Sequence, residues 1–233
     1  MDSYNQKQNK LIIPDPPARL PAIIGDIKTQ KKDDDRLNIY ANSTFLIGIS
    51  KQVRQHYQLK KGDTIDKDLY EKLYTREYYQ KLRSYLLKLL GRREYSRLEL
   101  FDRALKKGYD RNHTNSILDE LERENLVSNK RYTQFFVRDK FSLNNWGPLK
   151  IKSKLLKKGI DQNLIEEVIA ENITQNEMRT CCIELLNKKQ KTYIREDDPY
   201  KRKQKMLRFL SGRGFPGQVC YEAVESVLEK WDD

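Results

Sequence analysis

Residues 155–161 read LLKKGID, residues 104–110 have already read ALKKGYD, and a looser version, LSGRGFP, stands at 210–216. In each, a helix-forming run with basic residues meets a glycine, then an apolar or aromatic residue, then one suited to opening the next helix. Gly108, Gly159 and Gly214 therefore stand where a left-handed residue ends a helix, and Tyr109, Ile160 and Phe215 can fold back on the apolar stripe just completed. The motif is helix-stop punctuation, used once per module.

The repetition extends around it. Laying Gly108 on Gly159, an offset of 51 residues, pairs Ser96 with Gly147, Leu98 with Leu149, Leu100 with Ile151, Leu105 with Leu156 and Asp110 with Asp161. Laying Gly159 on Gly214, an offset of 55, pairs Ile151 with Met206, Leu155 with Leu210 and Val168 with Ala223. Helix starts fall where this alignment requires them: Ser96 with Glu99 forms a capping box, Pro148 suits a first helical position, and Asp198-Pro199 supplies a cap followed by proline. Each module reads as a leading helix, a middle helix ending at the glycine, and a following helix. A unit of about fifty residues buries little alone, so tandem copies are expected to stack as an elongated, curved array.

Upstream, residues 1–22 are polar and then proline-rich (IPDPPARLP), which reads as a flexible or extended lead-in. From Ile23 to Ser50 the period drops to two, with Leu37 and Ile39, then Phe45, Ile47 and Ile49, alternating as half-buried strands do. Three short antiparallel strands are predicted, separated by a charged turn KKDDDR and a turn at NST. Asp33, Asp34 and Asp35 read as turn residues rather than metal ligands. Ser50 opens a short helix that closes before Gly62, and Asp66 caps the next one. The expected class is mainly α. Its parts are a lead-in 1–22, a small β-rich subdomain 23–66 and helical modules 67–125, 126–180 and 181–233.

The chain of 233 residues has 37% hydrophobic and 34% charged residues, suited to thin layers rather than one thick core. It contains 46 Lys and Arg against 34 Asp and Glu, a formal charge of +12 that favours polyanions or acidic protein surfaces. No stretch approaches a membrane span and no signal peptide is evident, so a cytoplasmic protein is expected. Cys181, Cys182 and Cys220 lack metal-knuckle spacing and read as buried thiols. The sequence has no phosphate loop, nucleophile elbow or HExxH, and His56 and His113 fall in different modules; an enzyme is not expected. Neither a cofactor nor a metal is called for.

Charge gathers in one place. From Lys130 to Lys158 there are nine Lys and Arg against the single acid Asp139. Behind Pro148, Lys150, Lys154 and Lys157 fall at i, i+4 and i+7 as one basic stripe, with Ile151 and Leu155 on another face. Such a stripe suits phosphates or an acidic groove. Among the interleaved aromatics, Tyr132, Phe135 and Phe136 have core spacing, and Trp146 is the one expected to be exposed.

The segment RYTQFFVRDKFSLNNWGPLKIKSKLLKKGI resembles the signature of the RecX family of recombination regulators, through Arg131, Tyr132, Phe136, Val137, Arg138, Gly147, Pro148, Ile151, Leu155, Gly159 and Ile160. REYSRLELFDRALKKGY and KMLRFLSGRGF extend the resemblance over roughly residues 76–230, and the strands before them resemble the extension many members carry. Thr133, Lys140, Trp146, Lys150 and Lys154 depart from the residues usual there, and a lysine in place of arginine gives up bidentate contacts.

The resemblance implies a helical modular protein that lies along the groove of a RecA-type recombinase filament on single-stranded DNA. It would act in DNA repair and the SOS response, reducing ATP hydrolysis and strand exchange; separately, a monomer is expected. Arg131, Arg138, Lys140, Trp146, Lys150, Lys154, Lys157 and Lys158 are the candidate contacts with partner or nucleic acid. The alternative reading is a stand-alone basic helical protein that binds DNA directly and needs no recombinase.

Overall fold

The computed structural model describes residues 14–16 and 18–232; the rest of the expected lead-in, residues 1–13 and Pro17, lies outside the described residues. Four strands come first in sequence, β1 (Ala22–Gln30), β2 (Asp33–Ala41), β3 (Thr44–Ser50) and β4 (Thr64–Ile65), with helix α1 (Lys51–His56) before β4. Helices follow: α2 (Lys67–Leu90), α3 (Arg97–Lys106), α4 (Arg111–Arg123), α5 (Asn129–Ser142), α6 (Pro148–Leu156), α7 (Gln162–Asn172), α8 (Gln175–Asn187), α9 (Gln190–Tyr193), α10 (Pro199–Arg213) and α11 (Gly217–Asp232). The protein is mainly α with a small antiparallel sheet at its N-terminal side.

Contacts along the chain define two compact units. One holds the described residues up to Arg93 together with Leu100–Glu124; the other holds Glu94–Glu99 and the described residues from Asn125 on. In the first unit the sheet order is β3-β2-β1-β4. Gln30 pairs with Asp33 and Ala41 with Thr44, so both hairpin loops have two residues. In the second loop Asn42 and Ser43 take φ of 49° and 64°, the left-handed pair whose twist suits adjoining strands.

The first loop corrects the expected charged turn KKDDDR. Only Lys31 and Lys32 turn, while Asp33–Asp35 open β2 as exposed residues, because a two-residue loop already matches the strand twist. A second correction concerns Phe45. The ladder steps from Ile39↔Ile47 to Tyr40↔Phe45, one residue on β2 against two on β3. Leu46 is the extra residue, and the bulge reverses the inward set beyond it. Leu46 is buried and Phe45 is 45% exposed. Strand β4, two residues long, was not anticipated; it pairs with Ala22 and Ile23.

Ile24, Leu37, Ile39, Ile47 and Ile49 build the sheet's core with Val53, Leu59, Ile65 and, from α2, Tyr70 and Leu73. Further along α2, Glu77 is buried; it accepts from Arg36 Nη1 at 2.5 Å and from the Ser50 amide at 2.8 Å, fixing the helix to β2 and the end of β3. Ser50 and Asp66 cap α1 and α2 as predicted.

In the second unit α5, α6 and α7 pack around Tyr132, Val137, Ile151, Leu155, Ile160, Ile165 and Val168. Helices α8, α10 and α11 pack around Cys182, Leu186, Met206, Leu210, Phe215, Ala223, Val224 and Val227. The boundary expected at residue 180 falls inside α8: Thr174 and Glu177 form a reciprocal capping box that starts this helix at Gln175. Gly108, Gly159 and Gly214 adopt φ of 91°, 72° and 90°, the left-handed helix ends foreseen for them.

The start of one middle helix is seated on the glycine end of the next. Ser96 Oγ, which caps α3 by accepting from the Glu99 amide, donates to the Lys158 carbonyl at 2.9 Å, and Leu98 lies against Gly159. One module on, the Gly147 amide donates to the Arg213 carbonyl at 2.8 Å and the Leu149 amide to the Gly214 carbonyl at 3.0 Å. Ser96 and Gly147 were paired by the sequence alignment, as were Gly159 and Gly214, so this is one joint used twice. A Cβ on Gly147 would lie 2.3 Å from the Gly214 carbonyl carbon, which is why the second joint has glycine on both sides.

Candidate interaction surface

The expected contact residues lie in α5, in α6 and in the loop between them. Ser128 caps α5 by accepting from the Arg131 amide at 3.2 Å. The side chain of Arg131 is turned to internal use: Nε donates to Glu94 at 2.6 Å, and the Nη atoms donate to the carbonyls of Asn125 and Leu126 at 3.1 and 3.2 Å. Its guanidinium ties the start of α5 to the approach to α3. Arg138 lies one position beyond buried Val137, is exposed, and has no ion-pair partner among the described residues.

Trp146 corrects an expectation. Rather than standing free before Gly147, the indole is half-buried against the core of α5, α6 and α7. The ammonium of Lys150 sits 4.6 Å from its ring centroid and that of Lys140 sits 5.7 Å away. Each such placement is worth about 0.5–1 kcal/mol at an exposed site. Lys140 also reaches Asp139 and, at 3.2 Å, Asn144. Phe135 is the opposite case: assigned to the core from its spacing, it is exposed, while Tyr132 is buried and Phe136 half-buried.

Pro148 at the first position and Gly147 at the cap start α6, and Ile151 and Leu155 turn inward. Lys154 and Lys157 are exposed, with no ion pair among the described residues, and Lys150 lies on the same side over Trp146. Lys157 is the C-cap residue with φ −64° and ψ −14°, so it continues the helical path of the stripe.

Other basic residues of the segment are neutralised by acids. Lys152 pairs with Glu166 at 2.5 Å, Lys130 with Glu167 at 2.7 Å and Lys158 with Glu99 at 2.6 Å. Lys152 and Gln162 hold the Glu166 carboxyl below the usual carboxylate range. The acids of α7 thus remove positive charge beside α6 and leave Lys150, Lys154, Lys157 and Arg138 to present it. Sequence reasoning missed the exposed leucines here, Leu149 and Leu156 in α6, Leu143 in the loop before it and Leu98 at the start of α3. The signal for two of them was there, since Leu149 and Leu156 at i, i+7 do not share the side of Ile151 and Leu155.

No group of three or more His, Cys, Asp or Glu able to hold a metal ion occurs among the described residues. No helix there is long and apolar enough to cross a membrane.

A small antiparallel sheet followed by three-helix modules, one carrying an unpaired lysine stripe, defines a modular helical protein with a basic face. Three family models match it: the regulatory protein RecX N-terminal domain at residues 22–66, the RecX second three-helix domain at 128–169, and the RecX third three-helix domain at 178–224. Regulatory protein RecX of Clostridioides difficile (strain 630) is 31% identical over 208 residues, covering 89% of this chain and 95% of that protein. Regulatory protein RecX of Clostridium botulinum (strain Eklund 17B / Type B) is 27% identical over 210 residues, covering 89% and 97%. A crystal structure of regulatory protein RecX superposes with a TM-score of 0.72 at 23% identity, covering 88% of this chain and 99% of that one. RecX from Lactobacillus salivarius gives a TM-score of 0.59, also at 23% identity, over 67% of this chain and 98% of its own. The chain belongs to the RecX family of regulatory proteins.

Proposed function

We propose that this chain is a cytoplasmic regulator, without catalysis of its own, that binds a RecA-type recombinase filament on single-stranded DNA and lowers its ATPase and strand-exchange activity. The observation that carries the reading is the match to regulatory protein RecX along 89% of the chain. The lysine stripe supports it physically, because Lys150, Lys154 and Lys157 lie side by side on one helix while neighbouring lysines are neutralised. Cations held on a rigid helix favour a partner whose opposing surface is acidic or carries phosphates. Arg138 extends the positive charge to α5, and Trp146 with Lys140 props the start of the stripe. Arg131 and Lys158 are instead engaged in ion pairs with Glu94 and Glu99.

The test is recombinase ATPase on single-stranded DNA, titrated with this protein at physiological salt, with binding to free DNA measured in the same buffer. Inhibition below one chain per recombinase protomer, alongside weak free-DNA binding, is the expected result. Strong DNA binding with a steep salt dependence and no effect on the ATPase would instead support a stand-alone DNA-binding protein.

A further inference from the structure

Helix α6 carries two kinds of apolar residue. Ile151 and Leu155 are fully buried and are its contribution to the core. Leu149 and Leu156 are 57% and 43% exposed. Their spacing of seven residues puts them on one side of the helix, two turns apart. A third exposed leucine is nearby: Leu98 is 39% exposed, and its side chain is what a Cβ on Gly159 would strike, at 2.8 Å. It therefore lies beside the glycine turn that follows α6. Around the helix, across exposed Ser153, run Lys150, Lys154 and Lys157.

Single exposed leucines are ordinary on protein surfaces. Three neighbouring ones beside lysines that have no ion pair among the described residues are a composite surface. A phosphate backbone would engage the lysines and leave the leucines in water. A protein segment uses both, burying the apolar row and neutralising the cations, as amphipathic helices do in shallow grooves.

We infer that this side of α6 docks a partner protein through an acidic amphipathic helix. The partner's apolar side chains, at i and i+7, cover Leu149, Leu156 and Leu98, and its carboxylates lie along one flank against Lys150, Lys154 and Lys157. This deepens the proposed function, on which it rests only for the partner's identity: the contact made here is with recombinase protein rather than with its DNA.

The test has two arms. In the first, the full chain, labelled with ¹⁵N, is titrated with a synthetic helical peptide bearing leucines at i and i+7 and glutamates along one flank, and with a shuffled peptide of the same composition. Amide shifts confined to α6 and the start of α3, with binding weakened roughly tenfold or more by Leu149→Gln with Leu156→Gln, and likewise by Lys150→Gln with Lys154→Gln and Lys157→Gln, are expected. Leu149, Leu156, Lys154 and Lys157 are exposed, where folding tolerates change, and Lys150 is half-buried over Trp146; thermal melts verify that each variant folds. Equal binding of the shuffled peptide, shifts elsewhere, or unchanged binding by the leucine variant would overturn the inference.

In the second arm, the leucine variant is expected to lose filament inhibition while binding free single-stranded DNA as the parent does. Retained inhibition would also overturn the inference. A parent chain that fails to inhibit would sink the proposed function alone, because the peptide arm decides the docking surface without a recombinase.

Discussion

The hydroxyl of Ser96 donates to the carbonyl of Lys158 at 2.9 Å across 62 residues of chain, while accepting from the amide of Glu99 three residues on. One buried side chain thus caps the start of α3 and joins that start to the turn after α6. Ser96→Ala removes both bonds and strands a carbonyl donorless in a closed joint. A loss of about 2 kcal/mol is expected, the sum of a helix cap and a buried hydrogen bond. Urea unfolding read by circular dichroism checks it, and a loss within error of zero would show that the joint carries no energy.

The glycines of α10 and its end predict opposite signs within three residues. At Gly214 a Cβ would meet Lys150 Cβ at 2.4 Å and its amide nitrogen at 2.5 Å, with the backbone already at φ 90°. Gly214→Ala should therefore cost about 3 kcal/mol or more, through left-handed strain plus overpacking. At Gly212, inside α10, a Cβ meets nothing within 4 Å. Gly212→Ala should stabilise by about 0.5–1 kcal/mol, the helix-interior preference for alanine. Melting temperatures of the two variants, measured together, decide the matter.

Asp110 makes acid sensitivity testable. Burial raises the pKa of its carboxyl, but the amide and ring of His113 outweigh burial and leave it below the ordinary value of 3.8. The geometry agrees: Oδ1 accepts from the His113 amide at 2.9 Å and lies 2.7 Å from Nδ1. A group with a depressed folded-state pKa stabilises fully above its unfolded value, and the contribution is lost as pH falls through the folded one. Stability should therefore fall with acid below about pH 4 more steeply in the parent than in Asp110→Asn, which keeps a capping oxygen but cannot ionise. Parallel slopes in urea midpoints from pH 5 to pH 2 would exclude Asp110 as the source.

What could be read in advance was local. Capping by Ser50, Asp66, Ser96 and Asp198, the first-position Pro148 and the three helix-ending glycines rest on residues within one turn of each other, so spacing reveals them. The box Thr174–Glu177 was equally local; overlooking it placed a module boundary inside α8. What stayed hidden depends on residues far apart in sequence. Glu94, 37 residues away, takes up Arg131, and nothing in RYTQFFVRDK announces it. Phe45 and Leu46 exchange sides because of a bulge set by the partner strand. Leu149 and Leu156 stand off the side of Ile151 and Leu155 by spacing, but their exposure depends on which distant elements pack on α6, and the folded chain leaves them open.

Cysteine accessibility gives a last prediction, on the packing around α8. Cys182 and Cys220 are buried, and burial pushes both thiols up, Cys182 far above its ordinary value. Cys181 is only half-buried; burial raises it too, and its Sγ donates to Asn145 Oδ1 at 3.5 Å. The thiolate is the reactive form, so raised pKa and restricted access act together. With a maleimide at neutral pH, Cys181 should label first and slowly, and Cys182 and Cys220 only as fast as the three-helix packing opens. Peptide mass mapping over time, repeated in Cys181→Ser, reads this order directly. Prompt labelling of Cys182 in the folded chain would mean that α8 does not stay packed against α11 in solution.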